Sequence, residues 1–181
     1  MPLSSDEKKL LLEIARDSII LALRNESFAK PENISENLKN KQGAFVSLHT
    51  KDDWLRGCIG TFTSDNPLYK TISEIAEAAA FKDPRFPPVQ LKELDNIKIE
   101  ISVISPLKKI SSIDEIKVGR DGLYIIKGFN RGVLLPQVAT SEGWNKIEFL
   151  EHTCLKAGLP INAYKTGADI YTFTAEIFGE E

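Results

Sequence analysis

The 181-residue sequence has few of the residues from which metal sites and disulfide frameworks are built. It contains two cysteines, Cys58 and Cys154, and two histidines, His49 and His152. The cysteines are far apart in the chain and lack the close spacing of a zinc or redox site, and a single disulfide is unusual in a reducing compartment. The sequence therefore predicts two free thiols and no structural metal.

Long apolar runs are also missing from the sequence. The longest one, residues 19–23, is far too short to cross a bilayer. The first residues lack the basic segment and the following apolar stretch that define a signal peptide. We therefore expect a cytoplasmic protein that has no membrane partner.

Positive charge is not in excess either. The chain carries 23 Lys and Arg against 26 Asp and Glu, a net charge of -3, so no basic surplus is available to coat phosphates. Residues 41–46 are similar to an RNA-recognition strand, but they lack its second-position glycine and its first stacking aromatic. The glycine fingerprints of nucleotide sites and the His-Glu-x-x-His metal helix are absent too. No nucleic-acid partner and no cofactor are expected, and RNA binding is the least favoured function.

The residues that are present predict two helices, a hairpin and a further strand in the first half of the chain. In order, these are a helix at 5–25, a hairpin of strands at 44–48 and 54–59, a helix between Asn66-Pro67 and Asp83-Pro84, and a strand at 97–103. Ser4 and Glu7 fit a capping box at the start of the first helix. Its apolar stripe consists of Leu12, Ala15, Ile19 and Leu23.

The second half predicts a further hairpin, a helix and a strand. The hairpin has strands at 122–127 and 133–136 around a turn at 128–132, the helix runs from Asn145 to Gly158, and the last strand covers 171–177. Strand pairs mixed with helices, rather than strict alternation, predict an α+β fold with a largely antiparallel sheet. No low-complexity linker divides the chain, so any two lobes are expected to pack closely.

The most informative segment is the hexapeptide Leu55–Gly60, which reads Leu-Arg-Gly-Cys-Ile-Gly. Two glycines weaken a strand unless the backbone needs close approach there. Gly57 and Gly60 therefore suggest a bulge or an exposed backbone surface, and they are candidate binding residues. The alternative is that the glycines permit tight packing and that Cys58 is a small buried residue.

A second unusual segment, residues 78–88, leaves a helix rich in small residues and enters a stiff loop with prolines at 84, 87 and 88. Such a loop could present Arg85 at a fixed position. An equally weighted interpretation is a rigid connector in which Asp83 pairs with Arg85.

These segments carry a resemblance to a known family. The hexapeptide, the Ala79–Pro88 segment, the Leu134–Ala139 segment and the Cys154–Leu159 segment resemble the AMMECR family, named after the Alport syndrome, mental retardation, midface hypoplasia and elliptocytosis chromosomal region. The resemblance runs from about Gly43 to Phe178. It implies a single domain over 1–181, with two unequal, closely packed subdomains around one curved sheet and the hexapeptide beside a shared cleft. Gln137, in the third segment, is a further candidate binding residue.

The resemblance brings no established activity with it. It does imply a functional association with Memo-like and radical SAM proteins, which bacterial relatives often accompany. The favoured hypothesis is an enzyme or small-ligand binder whose cleft combines Cys58 with the cationic Arg56 and Arg85, because a neighbouring guanidinium favours the nucleophilic thiolate. His152 is the candidate base, although it lies off the apolar stripe of its helix, where solvent is the safer prediction.

The alternative hypothesis is a protein-interaction or scaffold module. In that case the backbone around Gly57 and Gly60 would receive a partner protein. Trp54, Phe86 and Trp144 would be its anchors, since aromatic residues carry much interface energy, although each is more often part of a core.

Overall fold

The computed structural model describes residues 2–181, which divide into two compact units. The first unit comprises the chain up to Ile104 together with Glu176–Glu181, and the second comprises Ser105–Ala175. Short 3-10 turns occur at Asn37–Lys39, Leu91–Asn96, Ile113–Glu115 and Ala163–Lys165.

Two helices of the first unit pack against one face of its sheet. Helix α1 (Ser5–Leu23) begins with the predicted capping box, in which Ser4 Oγ accepts from Glu7 N and the Glu7 carboxylate accepts from Ser4 N. Helix α2 (Leu68–Phe81) begins after Pro67 and ends before Asp83, close to the predicted limits. Asn66 does not cap it, because its amide donates to Glu74 Oε2 instead.

The buried face of α1 differs by part of a turn from the predicted stripe. Its buried residues are Leu11, Ile14, Ala15, Ser18 and Ile19, whereas Leu12 and Leu23 are only partly buried. Ser18 belongs to the buried face because its hydroxyl bonds to Ile14 O and to Ser73 Oγ of α2. A polar residue that has partners within the core cannot be recognised from hydrophobic periodicity alone.

The sheet of the first unit contains β1 (Ala44–Thr50), β2 (Leu55–Thr61) and β3 (Ile97–Ile104), paired antiparallel in the order β2-β1-β3. One face is apolar and joins the helices in the core through Val46, Leu48, Ile99 and Ile101. Because side chains alternate along a strand, the opposite face carries the intervening polar residues. Those of β1 and β3 are Ser47, His49, Lys98, Glu100 and Ser102.

The second unit contains β4 (Lys108–Lys109), β5 (Asp121–Lys127), β6 (Asn130–Leu134), helix α3 (Pro136–Ser141), helix α4 (Lys146–Lys156) and the first part of β7 (Asp169–Gly179). The residues of β7 from Glu176 onward belong to the first unit. Strand β7 pairs antiparallel with β4 and β5, and β5 pairs with β6. The predicted hairpin is present, but its turn is only Gly128-Phe129, and Pro136 opens α3 instead of ending a strand. Helix α4 begins at the predicted cap, Asn145, whose side chain accepts from Glu148 N.

The predicted α+β class and the antiparallel pairing are confirmed. Within residues 2–181, none of the helices is both long enough and apolar enough to cross a membrane. The cleft that the resemblance implies stays a prediction.

Candidate functional site

Cys58 lies in the middle of β2, an edge strand of the sheet, and its thiol is free and partly exposed. Its direct partner on the neighbouring strand β1 is Ser47, whose hydroxyl donates to Cys58 Sγ at 3.2 Å. The thiol therefore points to the polar face of the sheet, away from α1 and α2. Cys154 on α4, in contrast to Cys58, is a small and fully buried residue. Burial raises the pKa of the Cys154 thiol.

The main chain of Cys58 is held from outside the sheet by the loop that follows α2. Asp83 Oδ2 accepts from Cys58 N at 2.9 Å, and Arg85 Nη2 donates to Cys58 O at 3.3 Å. Because β2 is an edge strand, its outward N–H and C=O groups would otherwise meet solvent or another chain. The two side chains take the place of a neighbouring strand at this one residue and fix its position.

Asp83 and Arg85 are also paired with each other. The buried Asp83 carboxylate accepts from Arg85 N at 3.1 Å, Nε at 3.0 Å and Nη2 at 2.7 Å. The hydrogen bonds from Arg85 hold the pKa of Asp83 well below its usual range, against the opposing effect of burial. The Arg85 side chain remains 55% exposed, so its guanidinium both supports the loop and faces solvent.

Arg56 has a different environment from Arg85. Its guanidinium donates from Nε and Nη2 to the two carboxylate oxygens of Glu93, at 2.9 and 3.2 Å, and its side chain is only 12% exposed. Its Nη1 is buried and has no partner among residues 2–181. Leu48 pairs with Gly57 and His49 with Leu55, so Arg56 is the extra residue of a β-bulge.

The two glycines of the hexapeptide are required for packing. A Cβ at Gly57 would lie far inside van der Waals contact of the Ala79 carbonyl oxygen on α2, and one at Gly60 would overlap the Phe45 ring. Gly57 thus lets β2 lie directly on the backbone of α2. The predicted bulge and the tight-packing alternative both describe this segment, because the bulge at Arg56 immediately precedes the contact at Gly57.

Sequence reasoning missed Ser47 and Glu93 as parts of this site. Ser47 could be placed opposite Cys58 only with the correct hairpin register, and the bulge shifts that register by one residue. Glu93 follows a loop, and no local pattern connects it with Arg56. On β3, Glu100 is the partner of Ser47, so Cys58, Ser47 and Glu100 form one cross-strand row on the polar face.

Two predicted site residues lie in the second unit. His152 is exposed on α4, and its ring stacks on Trp144 with centroids 3.9 Å apart and planes 4° apart. Gln137 lies on α3, and its Oε1 is buried without a hydrogen-bond partner in the described part of the chain. A catalytic role for His152 and a binding role for Gln137 stay predictions.

Comparison with known proteins gives a consistent picture. A family model described as AMMECR1 matches residues 12–178. A protein of Methanothermobacter thermautotrophicus is 44% identical over 99% of this chain and 97% of its own length, and one of Nanoarchaeum equitans is 41% identical over 94% and 99%. The crystal structure of an uncharacterized protein from Pyrococcus horikoshii superposes with a TM-score of 0.87 at 42% identity, covering 95% of this chain and 90% of that one.

Proposed function

The chain belongs to the AMMECR1 family, and from this premise we propose that its first unit carries a small-ligand site with Cys58 as the reactive thiol and Arg85 as an anion contact. The observation that carries the proposal is the position of Cys58. Its sulfur is partly exposed on a polar sheet face, while its main chain is held on both sides by Asp83 and Arg85. A thiol that served packing alone would not need this support.

The surroundings of the sulfur suit nucleophilic or ligand-binding chemistry. A hydroxyl that donates to sulfur and a nearby guanidinium both stabilise negative charge there, and the thiolate is the form that attacks electrophilic carbon. Ser47 supplies the hydroxyl. The guanidinium is that of Arg85, which is paired with Asp83 and donates to the carbonyl oxygen of Cys58. The contacts of Arg85 use N, Nε and Nη2, which leaves Nη1 to bind an anionic group of a ligand.

The remaining predicted residues of the first unit enter this proposal in supporting roles. Gly57 and Gly60 fix the path of β2, and Arg56, held by Glu93, supports the bulge beside Cys58. The roles of His152 as a base and of Gln137 as a binding residue stay predictions from the sequence and are not part of this first-unit site. The reaction class that fits these groups is attack of a thiolate on an electrophilic carbon.

The role of Arg85 predicts charge-selective labelling of Cys58. Iodoacetate and iodoacetamide differ mainly in one negative charge. The second-order rate constant with iodoacetate, divided by that with iodoacetamide, therefore reports the local positive charge. In Arg85→Gln we expect this ratio to fall about threefold to tenfold, because a partly exposed charge pair contributes on the order of 1 kcal/mol. Peptide mass spectrometry after timed quenching measures both rates on the native protein.

The matched control is Lys82→Gln, three residues earlier, whose ammonium is exposed and pairs with Glu77. This variant should keep the wild-type ratio. Arg85→Lys, which retains the charge, should restore most of the lost selectivity. An unchanged ratio in Arg85→Gln, with the protein still folded, would rule out Arg85 as an anion contact at the thiol.

A second candidate function is the interaction module, and one observation favours it. Trp54, at the end of the β1–β2 turn, is 74% exposed and is followed by the exposed Leu55, so this aromatic is not part of the core. A Memo-like or radical SAM protein would be the first partner to test. Binding that survives Cys58→Ser and is lost in Trp54→Ala would favour this function over the thiol site.

A further inference from the structure

A cavity of about 300 Å³ opens on the polar face of the first-unit sheet. Its lining consists of His49, Asp53, Lys98, Ile99, Glu100, Gly179 and Glu180. All of these residues belong to the first unit. The volume is at the lower end of the range for small-molecule sites.

Four ionisable side chains of the cavity have no protein partner. Across residues 2–181, the His49 imidazole, the Lys98 ammonium and the carboxylates of Asp53 and Glu100 form no hydrogen bond or ion pair. Glu180 is different, because its carboxylate accepts from Arg16 and from Ile99 N. The cavity thus combines unpaired acidic and basic side chains with one carboxylate, that of Glu180, which is held by Arg16 and by the main chain of Ile99.

The strand register orders three of these groups into two rows, whereas Asp53 lies in the turn between β1 and β2. His49 is the direct partner of Lys98, so two basic side chains lie side by side. Two residues along β3, about 7 Å away, Glu100 lies beside Ser47, and Ser47 in turn lies beside Cys58. Basic groups therefore occupy one row, while the carboxylate row leads across two strand spacings, about 10 Å, to the thiol.

We propose that this cavity binds the ammonium and carboxylate groups of a small zwitterion of the amino-acid or dipeptide class, whose remaining part extends over Ser47 to Cys58. The ligand carboxylate pairs with Lys98 and His49, and its ammonium pairs with Glu100. The inference rests on the proposed thiol site and names the class of molecule that this site receives.

Other ligand classes fit the lining less well. A polyphosphate would meet the carboxylates of Asp53 and Glu100 as well as the cations. A divalent metal would meet the Lys98 ammonium, and the described residues hold no group of three or more metal-ligating side chains. An apolar molecule would remove water from four charged or polar groups without replacing their hydrogen bonds. A zwitterion can pair its carboxylate with the basic side chains of the cavity and its ammonium with the acidic ones.

An affinity label tests the inference on the full chain. The probe is Nε-bromoacetyl-L-lysine, which carries the zwitterion at one end and an electrophile at the other. The Cys58 thiolate displaces bromide, so that one sulfur–carbon bond forms and a bromide ion leaves. N-butyl bromoacetamide has the same reactive group without the two charges. We expect the zwitterionic probe to react about tenfold faster at low concentration and to show saturation.

Variants assign this preference to the cavity. In Glu100→Gln and in Lys98→Met the rate advantage of the zwitterionic probe should fall towards one, while the rate with N-butyl bromoacetamide stays unchanged. Lys9→Met, on the exposed side of α1, should keep the full advantage. Equal rates of the two reagents in the wild-type protein would overturn the zwitterion site and leave the thiol site standing.

Binding can also be measured without reaction. In Cys58→Ser, titration with Nε-acetyl-L-lysine should shift the amide resonances of Lys98 and Glu100 in a saturable way. Saturable shifts support the cavity even if Cys58 proves inert towards both reagents, which would remove the proposed function. No shifts up to the solubility limit of the probe would overturn the zwitterion site whatever the reactivity of Cys58.

Discussion

Gly57→Ala is expected to lower the free energy of unfolding by about 3 kcal/mol or more, since overpacking against backbone leaves no flexible side chain that can move aside. The added methyl group would lie far inside contact distance of the Ala79 carbonyl oxygen. Either β2 moves away from α2 or the helix distorts, and both changes disturb Cys58. Urea unfolding followed by circular dichroism measures the loss.

Gly167→Ala is the matched control for this experiment. Its Cβ would meet nothing within 4 Å, and its φ of +84° makes the cost one of backbone strain alone, about 1 kcal/mol. Equal losses for the two variants would show that Gly57 is not a packing position. The bulge and the close approach of β2 to α2 would then need another explanation.

Asp83→Asn is expected to lower the free energy of unfolding at pH 7 by about 2 kcal/mol. Asp83 is buried and accepts from Cys58 N and from three donors of Arg85. The asparagine side chain fits the same space but loses the charge and one acceptor. We keep the estimate modest because Arg85 is half exposed, and solvent weakens its interaction.

The effect of Asp83→Asn should depend on pH in one direction. Arg85 depresses the pKa of Asp83 in the folded protein, so the stability that the ionised carboxylate adds is fully present above its unfolded value of about 4. This contribution is lost as pH falls from there towards the folded value. The difference in the free energy of unfolding between the wild-type protein and the variant should therefore become smaller below about pH 4.

Asp169→Asn is the control for the charge, because Asp169 is half exposed and pairs with the exposed Lys109. We expect a loss of less than about 1 kcal/mol. Two results would contradict a stabilising Asp83–Arg85 pair. One is a difference in the free energy of unfolding between the wild-type protein and Asp83→Asn that stays constant down to acidic pH. The other is a loss no larger than that of Asp169→Asn.

Most of the fold follows from local sequence signals. The capping residues Ser4 and Asn145 predict where α1 and α4 begin, and the alternation from Ile97 onwards predicts β3. These signals work because capping and alternation depend on residues that are close in sequence. Helix α3 does not follow from these signals, since Pro136 after an apolar run predicts the end of a strand, whereas it is the first residue of a helix.

The candidate site was predictable only in part. Cys58, Arg85 and the Asp83–Arg85 pair follow from the unusual composition of two short segments. The contacts of Ser47 and Glu93 depend on register and on loop closure, which bring together residues that are 11 and 37 positions apart. A single bulged residue, Arg56, changes which side chain lies opposite Cys58, and hydrophobic pattern does not reveal a bulge.

We propose Cys58 as a reactive thiol and not a packing residue. The most direct test is the rate of iodoacetamide labelling of Cys58 and Cys154 at pH 7, compared between the native protein and the protein unfolded in urea. Native Cys58 should react about fivefold faster than Cys58 of the unfolded chain, whereas Cys154 should react only after unfolding. Native Cys58 that stays unlabelled until the chain unfolds would contradict the claim.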